Sequence, residues 1–191
     1  MKLVLATHNQ GKVQEFRAIL EPNGFELAGY DGPEPVEDGT SFVENALIKA
    51  RAAFASTGLP ALADDSGICV NALGGLPGVL SARFALSDQK KDPTDTDNNE
   101  LLIQKLSGIH DRSAHFTCTL VFLNSATDPE PLIAVGHWQG EIIEKPQGLS
   151  GFGYDPIFWV PALNKTAAQM SPEEKNAVSH RGEALRRLLT D

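Results

Sequence analysis

Cysteine is scarce in this chain of 191 residues, which has only two, and tryptophan, tyrosine and methionine occur twice each. Cys69 and Cys118 each sit in an apolar run, which excludes a disulfide-built scaffold or a cysteine-lined metal cage. Both are expected as reduced core residues of a cytoplasmic protein. No apolar run approaches the roughly 20 residues of a membrane helix. The first residues enter structure-forming sequence without a charged-then-apolar leader. Basic residues number 16 against 25 acidic ones, for a formal net charge of −9. That balance speaks against gripping long nucleic acid, where basic faces dominate affinity. A single nucleotide remains open, since a few lysines make a local positive pocket. What is present is ordinary for a globular protein, 41% apolar and 21% charged. The length suits one sizeable α/β domain.

The chemistry gathers around Ala61-Leu62-Ala63-Asp64-Asp65-Ser66-Gly67. Leu59 to Ala63 reads as a short buried strand, closed by a turn at Ser66-Gly67, with a further strand over Ile68 to Leu73. Neighbouring side chains of an extended chain point opposite ways, so Asp64 and Asp65 need a cation or donors on two faces. A hard divalent ion such as magnesium is one answer, and capping of a solvated strand end is the other.

Upstream, the strand Lys2 to Ala6 leads into Thr7-His8-Asn9-Gln10-Gly11-Lys12 and then a helix carrying Val13, Phe16, Ile19 and Leu20. Pro22, Asn23 and Gly24 stop it. Strand, glycine-containing turn and helix start suit an anion, to which Lys12 adds charge; simple helix capping by Thr7 or Asn9 explains the same residues. Phe25 to Tyr30 suggests a second strand, followed by a proline-rich acidic loop with Glu37 and Asp38. Ser41 and Glu44 form a capping box for a helix ending near Gly58. Asn45 and Lys49 share a flank largely off its apolar face.

Downstream, Gly74-Gly75-Leu76-Pro77-Gly78 demands tight turns. Arg83 reads either as a phosphate clamp or as a surface ion pair. Asp88 to Asn99 reads as an exposed loop, and Leu101, Leu102, Ile103 and Leu106 as a short helix ending at Gly108. Ala114 to Leu123 and Leu132 to Ile143 form a long hairpin, with Gly136 and Gly140 as bulge candidates, so the sheet is mixed. Gly151-Phe152-Gly153-Tyr154-Asp155-Pro156 puts aromatic faces beside an acceptor, as a purine pocket or an ordinary strand corner would. Ser171-Pro172-Glu173-Glu174 starts a helix through Lys175 to about Ser179, interrupted by His180-Arg181-Gly182.

Taken in order, these stretches resemble the inosine/xanthosine triphosphate pyrophosphatase family, which hydrolyses deaminated purine nucleoside triphosphates. The resembling pieces are Thr7 to Lys12, Phe42 to Ala46 with Lys49, Ala63 to Gly67, Leu73 to Arg83, Gly151 to Pro156, and Glu174 to Gly182. His8 and Leu80 depart from the family pattern, which commonly has a small residue at the first place and an aromatic at the second. The resemblance implies an α/β, ITPase-like fold over 1–191 as one domain. Its long mixed twisted sheet is flanked by helices, in two lobes with the active site in the cleft between them. It implies cleavage of XTP, ITP or dITP to the monophosphate and pyrophosphate with Mg2+, in a cytoplasmic homodimer.

By the same resemblance, Asp65 holds metal and activates water, with Asp64 and Glu37 supporting the metal and Lys49 catalytic beside it. Lys12, Lys49, Arg83 and Lys175 meet the triphosphate; Thr7, His8, Asn9, Gln10, Gly11 and Ser66 add donors. Phe152 or Tyr154 stacks on the base within Gly153 and Asp155, while His180 and Arg181 donate to its 6-oxo group. Adenine presents an amino donor there, and such mispairing can cost ~10⁴-fold or more in discrimination. Two rivals stand beside this reading: a pyrophosphatase for modified pyrimidine nucleotides, and a nucleotide-binding regulator without catalysis.

Overall fold

The computed structural model describes residues 1–88 and 92–190. In chain order come β1 (Lys2–Leu5), α1 (Gln10–Leu20), β2 (Glu26–Ala28), α2 (Phe42–Thr57), β3 (Ala61–Val70) and α3 (Asp95–Lys105). Then follow β4 (Ser113–Leu123), β5 (Leu132–Ile142), β6 (Phe158–Val160), β7 (Lys165–Thr166), α4 (Pro172–Val178) and α5 (His180–Leu188). The strands form one twisted seven-stranded sheet in the order β2-β1-β3-β4-β5-β6-β7. Strand β1 is parallel to β2 and β3, whereas β5, β6 and β7 pair antiparallel. The expected mixed α/β architecture is what the chain adopts.

The chain divides into two compact units, one of residues 1–65, 118–136 and 179–191, the other of residues 66–117 and 137–178. In the first, strand alternation sorts the core into two layers. Leu3, Leu5 and Leu62 pack with Phe16 and Leu20 of α1 and Ala184 and Leu185 of α5. Val4, Ala61 and Ala63 face the other way, against Ala46, Ala50 and Ala53 of α2. In the second unit one cluster gathers Ile68, Leu102, Phe116, Trp138, Tyr154, Ile157 and Phe158.

Several elements depart from the sequence reading, each for a local reason. No turn closes β3 at Ser66-Gly67; the strand runs on to Val70, and only Asn71–Leu73 leaves it as a 3-10 turn. Gly67 serves close approach instead, because a Cβ there would collide with the Gly78 carbonyl and the Ser81 hydroxyl. That hydroxyl accepts the Ile68 N–H at 2.9 Å. The loop expected over 88–99 becomes helix from Asp95, since Thr94 and Asp97 form a capping box; part of the segment, 89–91, lies outside the described residues. Asn98, read as solvated, is buried, accepting from the Ala85 N–H at 2.8 Å and donating to Ala82 O at 3.2 Å.

Gly136 and Gly140 lie within an unbroken β5. A Cβ at Gly136 would run into the His180 carbonyl and to 2.6 Å from the Ala184 nitrogen; one at Gly140 would lie 2.5 Å from the Phe158 ring and Trp159 O. The second glycine lets β6 close on β5, and the first lets α5 lie directly on the sheet. Finally, the helix break falls at Ser179, whose side chain accepts from the Gly182 N–H, so His180, Arg181 and Gly182 are the first turn of α5.

Candidate active site

The first unit places the two aspartates as their parity requires. Leu62 faces α1 and α5, so Asp64 does too; Ala61 and Ala63 face α2, so Asp65 does too. Asp64 accepts a hydrogen bond from Lys12 Nζ at 3.0 Å and has Arg181 Nε 3.6 Å away. Asp65 accepts from Lys49 Nζ at 2.7 Å and, more loosely, from Asn45 Nδ2 at 3.4 Å. Glu37 completes this side, 3.3 Å from Lys49 Nζ. Asn45 and Lys49 therefore point inward rather than off the packed face, and Asn45 is fully buried.

The same arrangement drives the two carboxyls apart. Burial pushes Asp64 up, but the charges of Lys12, Arg181 and Lys49 outweigh it and hold the group well below the usual carboxylate range. Burial also pushes Asp65 up, and Lys49 only partly offsets it, so its carboxyl lies above its ordinary value. The adjacent acids thus shift in opposite directions, Asp64 toward the charged form and Asp65 toward easier protonation. Lys49 is raised, because burial alone would lower it but Asp64, Asp65 and Glu37 prevail. Asp64 is thereby the anchor of two cations, Lys12 and Arg181.

Arg181 is buried, and its guanidinium bonds Glu15 of α1 as well as approaching Asp64. Glu15 was not singled out in the sequence, where it reads as one more helix glutamate; only the fold brings it across 166 positions. Arg181→Ala should cost about 3–5 kcal/mol of stability, because it removes the buried guanidinium that bonds Glu15 and neighbours Asp64. It should also narrow any preference for ITP over ATP, which competitive kinetics on folded protein would read.

The loop before α1 holds itself together. Asn9 caps the helix by accepting the Lys12 N–H at 3.1 Å, and Thr7 Oγ1 accepts the Asn9 N–H at 3.2 Å. The capping reading holds, with Gln10 and Gly11 in the first helical positions. His8 stacks on Tyr30 and lies 3.0 Å from Glu34. A pocket of about 150 Å³ opens beside it, lined in part by Thr7, His8, Gln10 and Tyr30.

In the second unit, Asp155 and Lys175 form a buried ion pair at 2.5 Å. Asp155 also accepts the Phe152 N–H at 3.0 Å, and the Lys175 ammonium lies 4.9 Å from the Phe152 ring centroid. Gly153 donates its N–H to Asp95 at 2.7 Å and accepts from Asn99 at 3.1 Å. Tyr154 cannot stack on a base: it is a core residue whose hydroxyl donates to Ser81 O at 2.8 Å. Phe152, by contrast, is half-buried. Ser66 and Arg83 are also half-buried, Arg83 with a non-helical backbone inside a 3-10 segment. Lys175→Ala should leave Asp155 buried without its ammonium, costing about 3–5 kcal/mol and loosening the Phe152 loop. Thermal denaturation measures the first effect; an unchanged Michaelis constant and turnover number would remove Lys175 from the phosphate site.

Among the described residues, no three His, Cys, Asp or Glu side chains converge as a ready-made metal cage. The donor set nonetheless suits a magnesium-like ion, which uses one or two carboxylates together with phosphate oxygens. Asp65 and Glu37 both face Lys49, and the four carboxylates of the network outnumber its three cations.

An α/β sheet with a capped helix start and paired carboxylates among buried cations has the parts of a class: proteins that hold a phosphorylated ligand beside acid–base chemistry. The chain belongs to the Ham1 family, whose model matches residues 3–191. It is 55% identical over 192 residues to a dITP/XTP pyrophosphatase of Ralstonia nicotianae, covering 98% of this chain and 94% of that one. A solved HAM1 protein from Coxiella burnetii superposes with TM-score 0.90 at 45% identity, over 100% of this chain and 97% of that one. A nucleoside-triphosphatase / dITP/XTP pyrophosphatase from Mycobacterium abscessus superposes with TM-score 0.76 at 42% identity, covering 100% of both chains.

Proposed function

We propose that this protein hydrolyses deaminated purine nucleoside triphosphates, XTP, ITP and dITP, between the α and β phosphates. This keeps them out of DNA and RNA. The observation that carries the mechanism is the split between Asp64, held ionised by Lys12 and Arg181, and Asp65, raised and paired with Lys49. Water attacks the α phosphorus, its proton passes to Asp65, and the bond to the bridging oxygen breaks to release pyrophosphate and the monophosphate. Lys12 and Lys49 are positioned to exchange carboxylate partners for phosphate oxygens, and the Thr7–Lys12 loop offers backbone N–H groups to the triphosphate.

Pyrophosphatases of this family generally depend on a divalent metal. We assign it as Mg2+, held by Asp65 and Glu37, where it would neutralise charge on the phosphate oxygens. Phe152 stacks on the base, and His180 and Arg181 read its 6-oxo edge. The whole chain works as a single catalytic domain. A homodimer in the cytoplasm is part of this reading; both cysteines are free thiols, and no helix of the described residues is long and apolar enough to cross a membrane. Light scattering reads the oligomeric state.

The decisive experiment incubates the protein with Mg2+ and a nucleotide panel, measuring pyrophosphate separately from orthophosphate. Pyrophosphate from XTP, ITP and dITP, and little from ATP or GTP, is expected. Binding without product would favour a regulator, and turnover confined to modified pyrimidine nucleotides would favour the other enzyme.

A further inference from the structure

The start of α2 carries two consecutive polar side chains with different tasks. Glu44 faces solvent and gathers the chain just before the helix, accepting from Thr40 N, Thr40 Oγ1, Ser41 N and Ser41 Oγ at 2.8 to 2.9 Å. Asn45 faces inward and is completely buried. Its Oδ1 accepts the Gly39 N–H at 2.9 Å, and its Nδ2 donates to Asp65 Oδ2 at 3.4 Å. One amide thus spans from the end of the acidic loop, two residues past Glu37, to the carboxylate proposed as general base. Gly39 is fitted to this contact. A Cβ there would lie 2.6 Å from Asn45 Oδ1 and 2.7 Å from Glu44 Cβ.

We infer that Asn45 is a positioning residue that couples the acidic loop to Asp65. The amide contributes no charge, so it leaves the ionic balance to Lys49 and Glu37. It fixes the carboxylate's rotation by holding Oδ2 while Lys49 holds Oδ1. Because the same side chain also holds Gly39, the backbone that delivers Glu37 and the plane of Asp65 are set together. A group with one acceptor and one donor, each used toward a different partner, is required here. Neither Ala nor Asp reproduces both contacts.

This inference rests on the pyrophosphatase reading, and three variants separate the two. Asn45→Asp keeps the acceptor for Gly39 but loses the donor to Asp65; Asn45→Ala loses both; Gly39→Ala acts from the loop side, by crowding Asn45 Oδ1. Hydrogen exchange of residues 31–40, in metal-free protein without nucleotide, reports the loop independently of activity. Turnover with ITP reports the carboxylate. The expected pattern is loop protection retained in Asn45→Asp and lost in Asn45→Ala and Gly39→Ala. Turnover number should fall roughly 10- to 100-fold in both Asn45 variants, with little change in the Michaelis constant for Asn45→Asp. Normal turnover of Asn45→Asp would overturn the coupling, as would loop exchange unchanged in Asn45→Ala. If the wild-type protein released no pyrophosphate, the pyrophosphatase reading would fall, while the exchange data would still test the clamp.

Discussion

Asp65→Asn should lower the turnover number by roughly 10³-fold, within the range that a positioned general base supplies. The amide keeps the shape of the carboxylate, still offers an oxygen to Lys49 Nζ, and cannot take a proton from water. Nucleotide binding, read by titration calorimetry with Mg2+, should remain largely intact; near-normal turnover would sink the assigned role. Metal-free wild-type protein should show the counterpart in the titration of this carboxyl. Burial raises the Asp65 pKa in the folded protein, so the group should titrate above the ordinary aspartate range near ~4, read by NMR without Mg2+. Asp64 cannot produce that titration, because its shift is in the other direction. A midpoint at or below the ordinary range would mean that Lys49 outweighs burial at Asp65.

The second large effect is structural. Gly136→Ala should destabilise the protein by about 3 kcal/mol or more, near the upper end of what overpacking costs. The new methyl meets backbone, the His180 carbonyl and the Ala184 nitrogen, rather than the movable tip of a side chain. Relief requires α5 to lift from β5, and α5 carries Arg181 in its first turn. A fall in Tm of about 6–12 °C follows for a protein of this size. Weaker discrimination between ITP and ATP should accompany it. Unchanged stability would mean that α5 shifts at little cost.

The sequence disclosed elements wherever the signal was local. The Ser41/Glu44 and Ser171/Glu174 capping boxes, the stop at Gly24 and the alternation along β4 each depend on residues a few positions apart. Asp64 and Asp65 were also legible as a pair needing partners on two faces. What stayed hidden depended on distant contacts. Gly67 and Gly136 looked like turn and bulge residues because sequence cannot say what approaches a bare Cα. Asn98 looked solvated until the Ala85 N–H and Ala82 carbonyl were brought to it. Tyr154 looked like a base-stacking ring because its hydroxyl's partner, Ser81 O, lies 73 positions away. Glu15 had no signal of its own.

The unit that holds both aspartates is assembled from three separated stretches of chain, the last beginning at Ser179. That interruption bears on synthesis. While residues 1–65 and 118–136 are already available, Asp64 has Lys12 but must wait for Arg181, which also closes the link to Glu15. Residues 66–178 can complete the other unit first, because nothing in it lies beyond Val178. The nascent chain therefore carries a buried-to-be carboxylate short of one cation until the stretch from Ser179 emerges. Loop-closure entropy over so long a separation makes that docking a late event. Shortening the chain before Arg181 should prevent the first unit from reaching its native ionic core, even with every residue of the strand bearing Asp65 already made.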